Sequence, residues 1–222
     1  MVEDGHWVRW HADYDDHDSW LSRRLVVVQR RLRLALDATP PGPIRVISVC
    51  AGQGRDLIGV LDRHPRRSQV TARLVELDPR LVGEARAKAE DAGLPNVDVI
   101  EGDASTTTAY AGAVPADVIL VCGVFGNVTD ADIHRTVAEL PRLSAPGASV
   151  IWTRHRRAPD MTPAIRAWFT EAGFEEVAFD TEEGATFGVG SNRFVCAPKP
   201  FRLGRRMFTV VGDGTGTRLS QG

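Results

Sequence analysis

From residue 44 onward, short apolar runs alternate with amphipathic stretches, and turn residues separate the two. The apolar runs at 45–49, 71–77, 97–101, 116–121, 149–153 and 176–180 have the length of strands and little polar alternation. Such runs predict strands covered on both faces, hence a mostly parallel sheet. Stretches with helical spacing fall between them, at 56–63, 79–92, 130–140 and 162–172. Pro79 suits a first helical turn, and Gly93 and Gly173 suit helix stops. A Pro146-Gly147 turn is expected before the fifth strand. Two segments compete for the last strand, 186–195 and 206–211. The second is preferred, which leaves the first as a substrate-side insertion.

Upstream, a helix is predicted over 20–37, capped by Asp18 or Ser19. Leu21, Leu25, Val28, Leu32 and Leu36 recur every three or four residues and mark its buried face. Arg23, Arg24, Arg30, Arg31 and Arg33 fall mostly on the other. Pro40-Pro41-Gly42-Pro43 ends that helix and opens the main domain. The expected organisation is an N-terminal helical or lid segment (1–40) followed by one domain (41–222).

Composition narrows the class. With 222 residues and 43% hydrophobic content the chain can bury a single sizeable core. A formal charge of −2 exerts no global pull on nucleic acid or anionic membrane. No apolar run approaches the roughly 20 residues that span a bilayer. The polar, acidic start, Met1-Val2-Glu3-Asp4-Gly5-His6, does not read as a signal peptide. Cys50, Cys122 and Cys196 are odd in number and sit in apolar settings, so buried free thiols and a cytoplasmic location are expected.

The chemistry concentrates where the first strand ends. Cys50-Ala51-Gly52-Gln53-Gly54-Arg55-Asp56 joins a strand to a helix through small residues, which lets backbone approach a ligand closely. Glu76 ends the next strand, about 22 residues past Gly54, a distance that suits the two hydroxyls of a ribose. Asp78 competes for that role but also suits a helix cap. Together the turn and the acid point to a cofactor containing adenosine. A dinucleotide fingerprint would place a third glycine where Leu57 stands, which argues against a pyrophosphate. Asp56 is either a partner for the helix dipole or a contact to a cationic ligand group.

On these residues the chain resembles the class I S-adenosylmethionine-dependent methyltransferases over roughly residues 44–180. The motifs that carry the resemblance are Ser48-Val49-Cys50-Ala51-Gly52-Gln53-Gly54, Glu76, Gly102-Asp103-Ala104 and Cys122-Gly123-Val124-Phe125-Gly126-Asn127. Ser48 stands where family members usually carry an acid, and Cys50 where they carry a first glycine. The resemblance implies a Rossmann-like α/β three-layer sandwich, its seven-stranded sheet mostly parallel with an antiparallel last strand. It implies S-adenosyl-L-methionine as the cofactor and no metal. The turn backbone (Cys50, Ala51, Gly52, Gly54) would lie against the methionine part. Glu76 would hold the ribose hydroxyls and Asp103 the adenine amino group, with Ala104 and Gly123 lining the same site.

Ligands sit at the carboxyl ends of parallel strands, so the loops after the fourth and fifth strands form the expected substrate wall. Phe125 and Asn127 follow the fourth, and Thr153-Arg154-His155-Arg156-Arg157 follows the fifth. His155 is the general-base candidate, because a neutral imidazole is available near neutral pH. Arg154 is a candidate for a substrate carboxylate. Trp7, Trp10, His11 and Tyr14 are aromatics and a histidine in the place of a substrate lid. Trp10 and His11 are expected to touch substrate, and Tyr14 to supply a hydroxyl. His11, Asp15 and His17 lack convincing metal spacing.

The expected activity is methyl transfer to an oxygen or nitrogen of a small molecule, by a monomer or homodimer without nucleic-acid or membrane partners. Three alternatives stay open at this point: an NAD-type oxidoreductase, a non-catalytic S-adenosylmethionine-binding protein, and an RNA methyltransferase using the arginines at 154–157 and 202–206.

Overall fold

The computed structural model describes residues 19–181 and 186–211. Trp7, Trp10, His11, Tyr14 and the His11, Asp15, His17 group lie outside the described residues. The first helix, α1 (Trp20–Ala38), is capped by Ser19, whose Oγ accepts the Ser22 N–H at 3.0 Å. Leu21, Val28, Leu32 and Leu36 are buried as their spacing requires, while Leu25 is half-buried. Arg24 departs from its expected place on the polar face and is buried.

The elements that follow are β1 (Ile44–Val49), α2 (Arg55–Leu61), β2 (Val70–Glu76), α3 (Pro79–Asp91), β3 (Val97–Glu101) and β4 (Ala116–Val121). Then come α4 (Asp130–Glu139), β5 (Ser144–His155), α5 (Thr162–Glu171), β6 (Phe174–Asp180) and β7 (Phe187–Phe194). One seven-stranded sheet runs β3-β2-β1-β4-β5-β7-β6. Strands β1 to β5 pair in parallel, and β7 runs antiparallel to both neighbours. One face buries Val28, Leu32, Leu57, Val60 and Val82 from α1, α2 and α3. The other buries Ile133, Val137, Ile165 and Phe169 from α4 and α5, together with Met207 and Phe208. The protein is therefore a Rossmann-like three-layer sandwich.

Two expectations need correction. The last strand is Phe187–Phe194, not 206–211, so the stretch expected to form a substrate-side insertion is a strand interior to the sheet. Roughly six residues separate it from β6, so an antiparallel pair closes at small entropic cost. Its glycines have a packing reason. A Cβ at Gly190 would lie 2.1 Å from the Trp152 ring, and one at Gly188 2.4 Å from the Phe179 ring. Trp152 in turn stacks on Phe169 at 5.6 Å and donates from Nε1 to Asn192 Oδ1 at 2.8 Å.

Secondly, the Pro146-Gly147 turn lies inside β5, where the register against β4 shifts between Ala116 and Val118. Pairing with β7 carries β5 on to His155, opposite Phe187, so Arg154 and His155 are strand residues and not loop residues.

Residues 200–211 form an irregular strap across the second face. Thr107 N–H donates to Arg205 O at 2.9 Å, Met207 N–H to Ser105 O at 2.8 Å and Val211 N–H to Asn127 O at 3.0 Å. Short bridges join Thr106 to Arg206 and Val128 to Val210. The strap thus ties the loop after β3 to the loop after β4.

Candidate cofactor site

The turn after β1 is built from left-handed backbone. Cys50, Gly52 and Gly54 take φ values of +51°, +56° and +66°. Glycine tolerates that region freely, whereas a side chain there is strained. Gly54 is also required by packing, because a Cβ would lie 2.7 Å from Ile58 Cδ1 and 2.8 Å from Leu74 Cδ2. Ala51 N–H donates to Val75 O at 3.0 Å, and Gly54 N–H to Ala51 O at 2.9 Å, which close the turn against β2.

Glu76, at the end of β2, is the organising acid. Its Oε2 accepts the Gly52 N–H at 2.8 Å, and its Oε1 accepts the N–H groups of Leu77 at 2.8 Å and Asp78 at 3.0 Å. The turn after β1 and the acid after β2 therefore form one rim. Asp78, the competitor, caps α3 by accepting the Arg80 N–H at 2.9 Å and pairs with the Arg80 guanidinium.

Asp103 follows β3 with its side chain half-exposed. Its Oδ1 accepts the Ser105 N–H at 2.8 Å, and Arg206 Nη2 stands 3.5 Å from its Oδ2. Burial would raise the Asp103 carboxyl, but the Ser105 hydrogen bonds and the Arg206 charge outweigh it and leave it below the ordinary carboxylate value. The Cys50 thiol is pushed far up, first by burial and then by the negative charges of Glu76 and Asp103. It is a packing group and not a nucleophile. Ala104 is a buried core residue, and its carbonyl accepts the buried Tyr110 hydroxyl at 2.8 Å.

Asp56 opens α2, and its Oδ1 accepts the Leu57 N–H at 2.8 Å. Burial raises its carboxyl, opposed by backbone N–H groups and by Arg24. A carboxylate at the mouth of this helix opposes a pyrophosphate, while the Leu57 side chain is turned into the core. The rim thus offers small-residue backbone, two acceptor carboxylates and a third acid where a dinucleotide would place phosphate. That donor and acceptor set fits a phosphate-free adenosine ligand bearing a cationic group.

On the substrate side, Gly123 (φ +78°) donates to Thr153 Oγ1 at 2.8 Å, and its carbonyl accepts Asn127 Nδ2 at 2.6 Å. Phe125 is turned inward from solvent. It is fully buried, with its ring 6.0 Å from that of Trp152. Arg154 donates from Nη1 to the Phe125 carbonyl, so at least one of its donors braces the β4 loop instead of waiting for a substrate. Burial lowers its guanidinium against the pull of Asp130 and Asp160.

His155 ends β5 beside that loop, with Cδ2 only 3.7 Å from where a Gly126 Cβ would lie. Burial, then Arg154 and Arg157, lowers its imidazole below the ordinary value, opposed by Asp160. The ring is therefore neutral near pH 7. Its Nδ1 is buried and has no hydrogen-bond partner among the described residues.

The sequence pattern did not single out Ser105 or buried Arg24, and it read Arg206 only as part of a basic patch. The links of Arg206 to Asp103 and of Arg24 to Asp56 are long-range and leave no local signature, whereas Ser105 meets Asp103 two residues away in the same turn. Among the described residues no group of three or more His, Cys, Asp or Glu side chains is placed to hold a metal, and no helix is long and apolar enough to cross a membrane.

A family profile described as a methyltransferase domain matches residues 46–147, which contain the turn, Glu76, Asp103 and the β4 loop. Among solved structures, an O-methyltransferase family protein from Burkholderia thailandensis aligns with a TM-score of 0.62 at 18% identity, covering 80% of this chain and 57% of that one. The CurJ carbon methyltransferase aligns at 0.66 and 16% identity, covering 83% and 58% respectively. This chain therefore spans somewhat over half the length of those two proteins. A TehB-like S-adenosylmethionine-dependent methyltransferase from Corynebacterium glutamicum aligns at 0.54 and 17% identity, covering 76% and 88%. At such identities the likeness establishes the fold. No curated protein sequence matches the chain. The profile thus lies over the motif-bearing strands of the 3-2-1-4-5-7-6 sheet, and residues 46–147 are similar to a methyltransferase domain.

Proposed function

We propose that this chain is an S-adenosylmethionine-dependent methyltransferase that acts on an oxygen or nitrogen of a small molecule, in the cytoplasm, as a monomer or homodimer. The observation that carries the cofactor assignment is the rim in which Glu76 accepts the Gly52 N–H at 2.8 Å. It puts a ribose-type acid and a close-approach backbone on one edge. In this reading Glu76 accepts from the ribose hydroxyls, Asp103 from the adenine amino group, and the 50–54 turn lies against the methionine part. Leu77, exposed beside Glu76, offers an apolar surface to the base. When bound, S-adenosylmethionine supplies a methyl group already activated by its positively charged sulfur.

What remains for the protein is to align the acceptor, exclude water and take up a proton. His155 fits the last task. It is neutral near pH 7 and lies beside the β4 loop at the carboxyl edge of the sheet. A hydroxyl or protonated-amine acceptor needs such a base, which supports oxygen or nitrogen as the methylated atom. Asn127 orients the loop through Gly123, and Arg154 through Phe125. Trp10, His11 and Tyr14 remain the proposed lid. A small-molecule acceptor is favoured over nucleic acid by the net charge of −2. The free thiols Cys50, Cys122 and Cys196 agree with a reducing compartment, although Cys196 is exposed and not buried as its apolar setting suggests.

The test is calorimetric titration with S-adenosylhomocysteine and with NAD, followed by assay of acceptor-dependent S-adenosylhomocysteine formation over a panel of small hydroxyl and amine compounds. Binding of the first ligand and not the second, with turnover on a panel member, is expected. Failure to bind S-adenosylhomocysteine refutes the cofactor assignment. Turnover confined to RNA refutes the acceptor class.

A further inference from the structure

We infer that Arg206, on the C-terminal strap, is a positioning residue for recognition of the adenine base. It fixes the carboxylate of Asp103 in the orientation that accepts an exocyclic amino group. The inference rests on the assignment of Asp103 proposed above.

The guanidinium spans two residues of the loop after β3. Arg206 Nη1 donates to Ser105 Oγ at 2.7 Å, and Nη2 stands 3.5 Å from Asp103 Oδ2. Asp103 Oδ1 is held from the other side by the Ser105 N–H at 2.8 Å. Both carboxylate oxygens thus have a protein partner that restricts the side chain. A carboxylate has about four lone-pair sites, so acceptor capacity remains for a ligand N–H.

Arg206 is not a loose surface arginine. Its backbone bridges Thr106, and its neighbours Arg205 and Met207 hydrogen-bond to Thr107 and Ser105. Buried Met207 and Phe208 anchor the strap, and Arg205 ties it to Glu139 at 2.9 Å. The strap therefore stays docked when the Arg206 side chain is removed, and what is lost is the hold on Asp103. A flexible exposed aspartate must be ordered by the ligand, and prior ordering removes that cost. A carboxylate so placed favours a base that presents an amino donor. It disfavours one that presents a carbonyl there, where two acceptors would face each other.

The experiment compares calorimetric affinities for S-adenosylhomocysteine and for its inosine analogue, in which a carbonyl replaces the amino group. The proteins are the full chain and its Arg206→Ala, Arg206→Lys, Arg205→Ala and Asp103→Ala variants. The wild type is expected to prefer the amino form. Arg206→Ala should reduce that preference by about 3- to 10-fold, and Arg206→Lys should restore part of it. Arg205→Ala should lower the melting temperature and leave the preference intact. An Arg206→Ala preference equal to wild type, or equal losses for both ligands, overturns the inference. If the Asp103→Ala variant keeps the full preference, the assignment of Asp103 itself fails. If the wild type binds neither nucleoside, the proposed function falls with it.

Discussion

Replacement of Glu76 tests whether one carboxylate both builds the rim and binds the cofactor. In Glu76→Ala, three main-chain N–H groups lose their acceptor. Leu77 is exposed, and Asp78 sits at the start of α3, so water substitutes at those two positions at small cost. Gly52 is buried, and its orphaned N–H carries a penalty of about 1–3 kcal/mol. For a chain of this size that corresponds to a melting temperature lowered by roughly 2–12 °C. Glu76→Gln is not a conservative change here. Both carboxylate oxygens accept, one from Gly52 and the other from Leu77 and Asp78, whereas an amide has a single acceptor oxygen. Its NH₂ must face an N–H donor on one side, so the loss should equal or exceed that of the alanine variant. Two charge-assisted bonds to ribose hydroxyls are worth about 3 kcal/mol after desolvation, so affinity for S-adenosylhomocysteine should fall roughly 100-fold. Thermal melts and calorimetric titration read the two effects separately. A glutamine variant with wild-type melting would refute the hydrogen-bond argument, and wild-type affinity in both variants would refute the ribose assignment.

Three other outcomes are expected. Gly190→Ala places a Cβ 2.1 Å from the Trp152 ring, which must leave its stack on Phe169 and its bond to buried Asn192. The loss should be about 3 kcal/mol or more by urea unfolding, and a Gly190→Ala protein of native stability would contradict that packing. With limiting iodoacetamide at pH 7.5, exposed Cys196 should be alkylated well before Cys50 and Cys122, whose thiols burial has pushed up. Peptide mass spectrometry showing Cys50 labelled first would refute its burial. If His155 is the base, turnover should hold its plateau below pH 6.5 and fall only as the lowered imidazole protonates, and His155→Asn should remove that acid limb. The same shift makes the unfolded chain bind more protons between the folded value and 6.5, so His155 contributes a rise in stability with pH across that window and none above it. A limb at or above 6.5, or one unchanged in the variant, would exclude His155.

The local signals in this chain specified most of its framework. Apolar runs of strand length, the helical spacing of Leu21, Val28, Leu32 and Leu36, and the punctuation by Pro79 and Gly93 act over a few residues, and the structure follows them. The rim formed by the 50–54 turn and Glu76 is legible for the same reason, since a small-residue turn and an acid at a strand end are each local requirements. Tertiary packing decided the remainder. Gly188 and Gly190 make 187–194 a poor strand by propensity. Only the rings of Phe179 and Trp152, lying across them, make a missing Cβ an advantage. The burial of Phe125 and Ala104 in the core is not legible locally, because burial depends on what covers a loop from elsewhere. Arg206 meets Asp103 through a strap whose pairing partners lie far away in the chain, and no periodicity encodes such a contact.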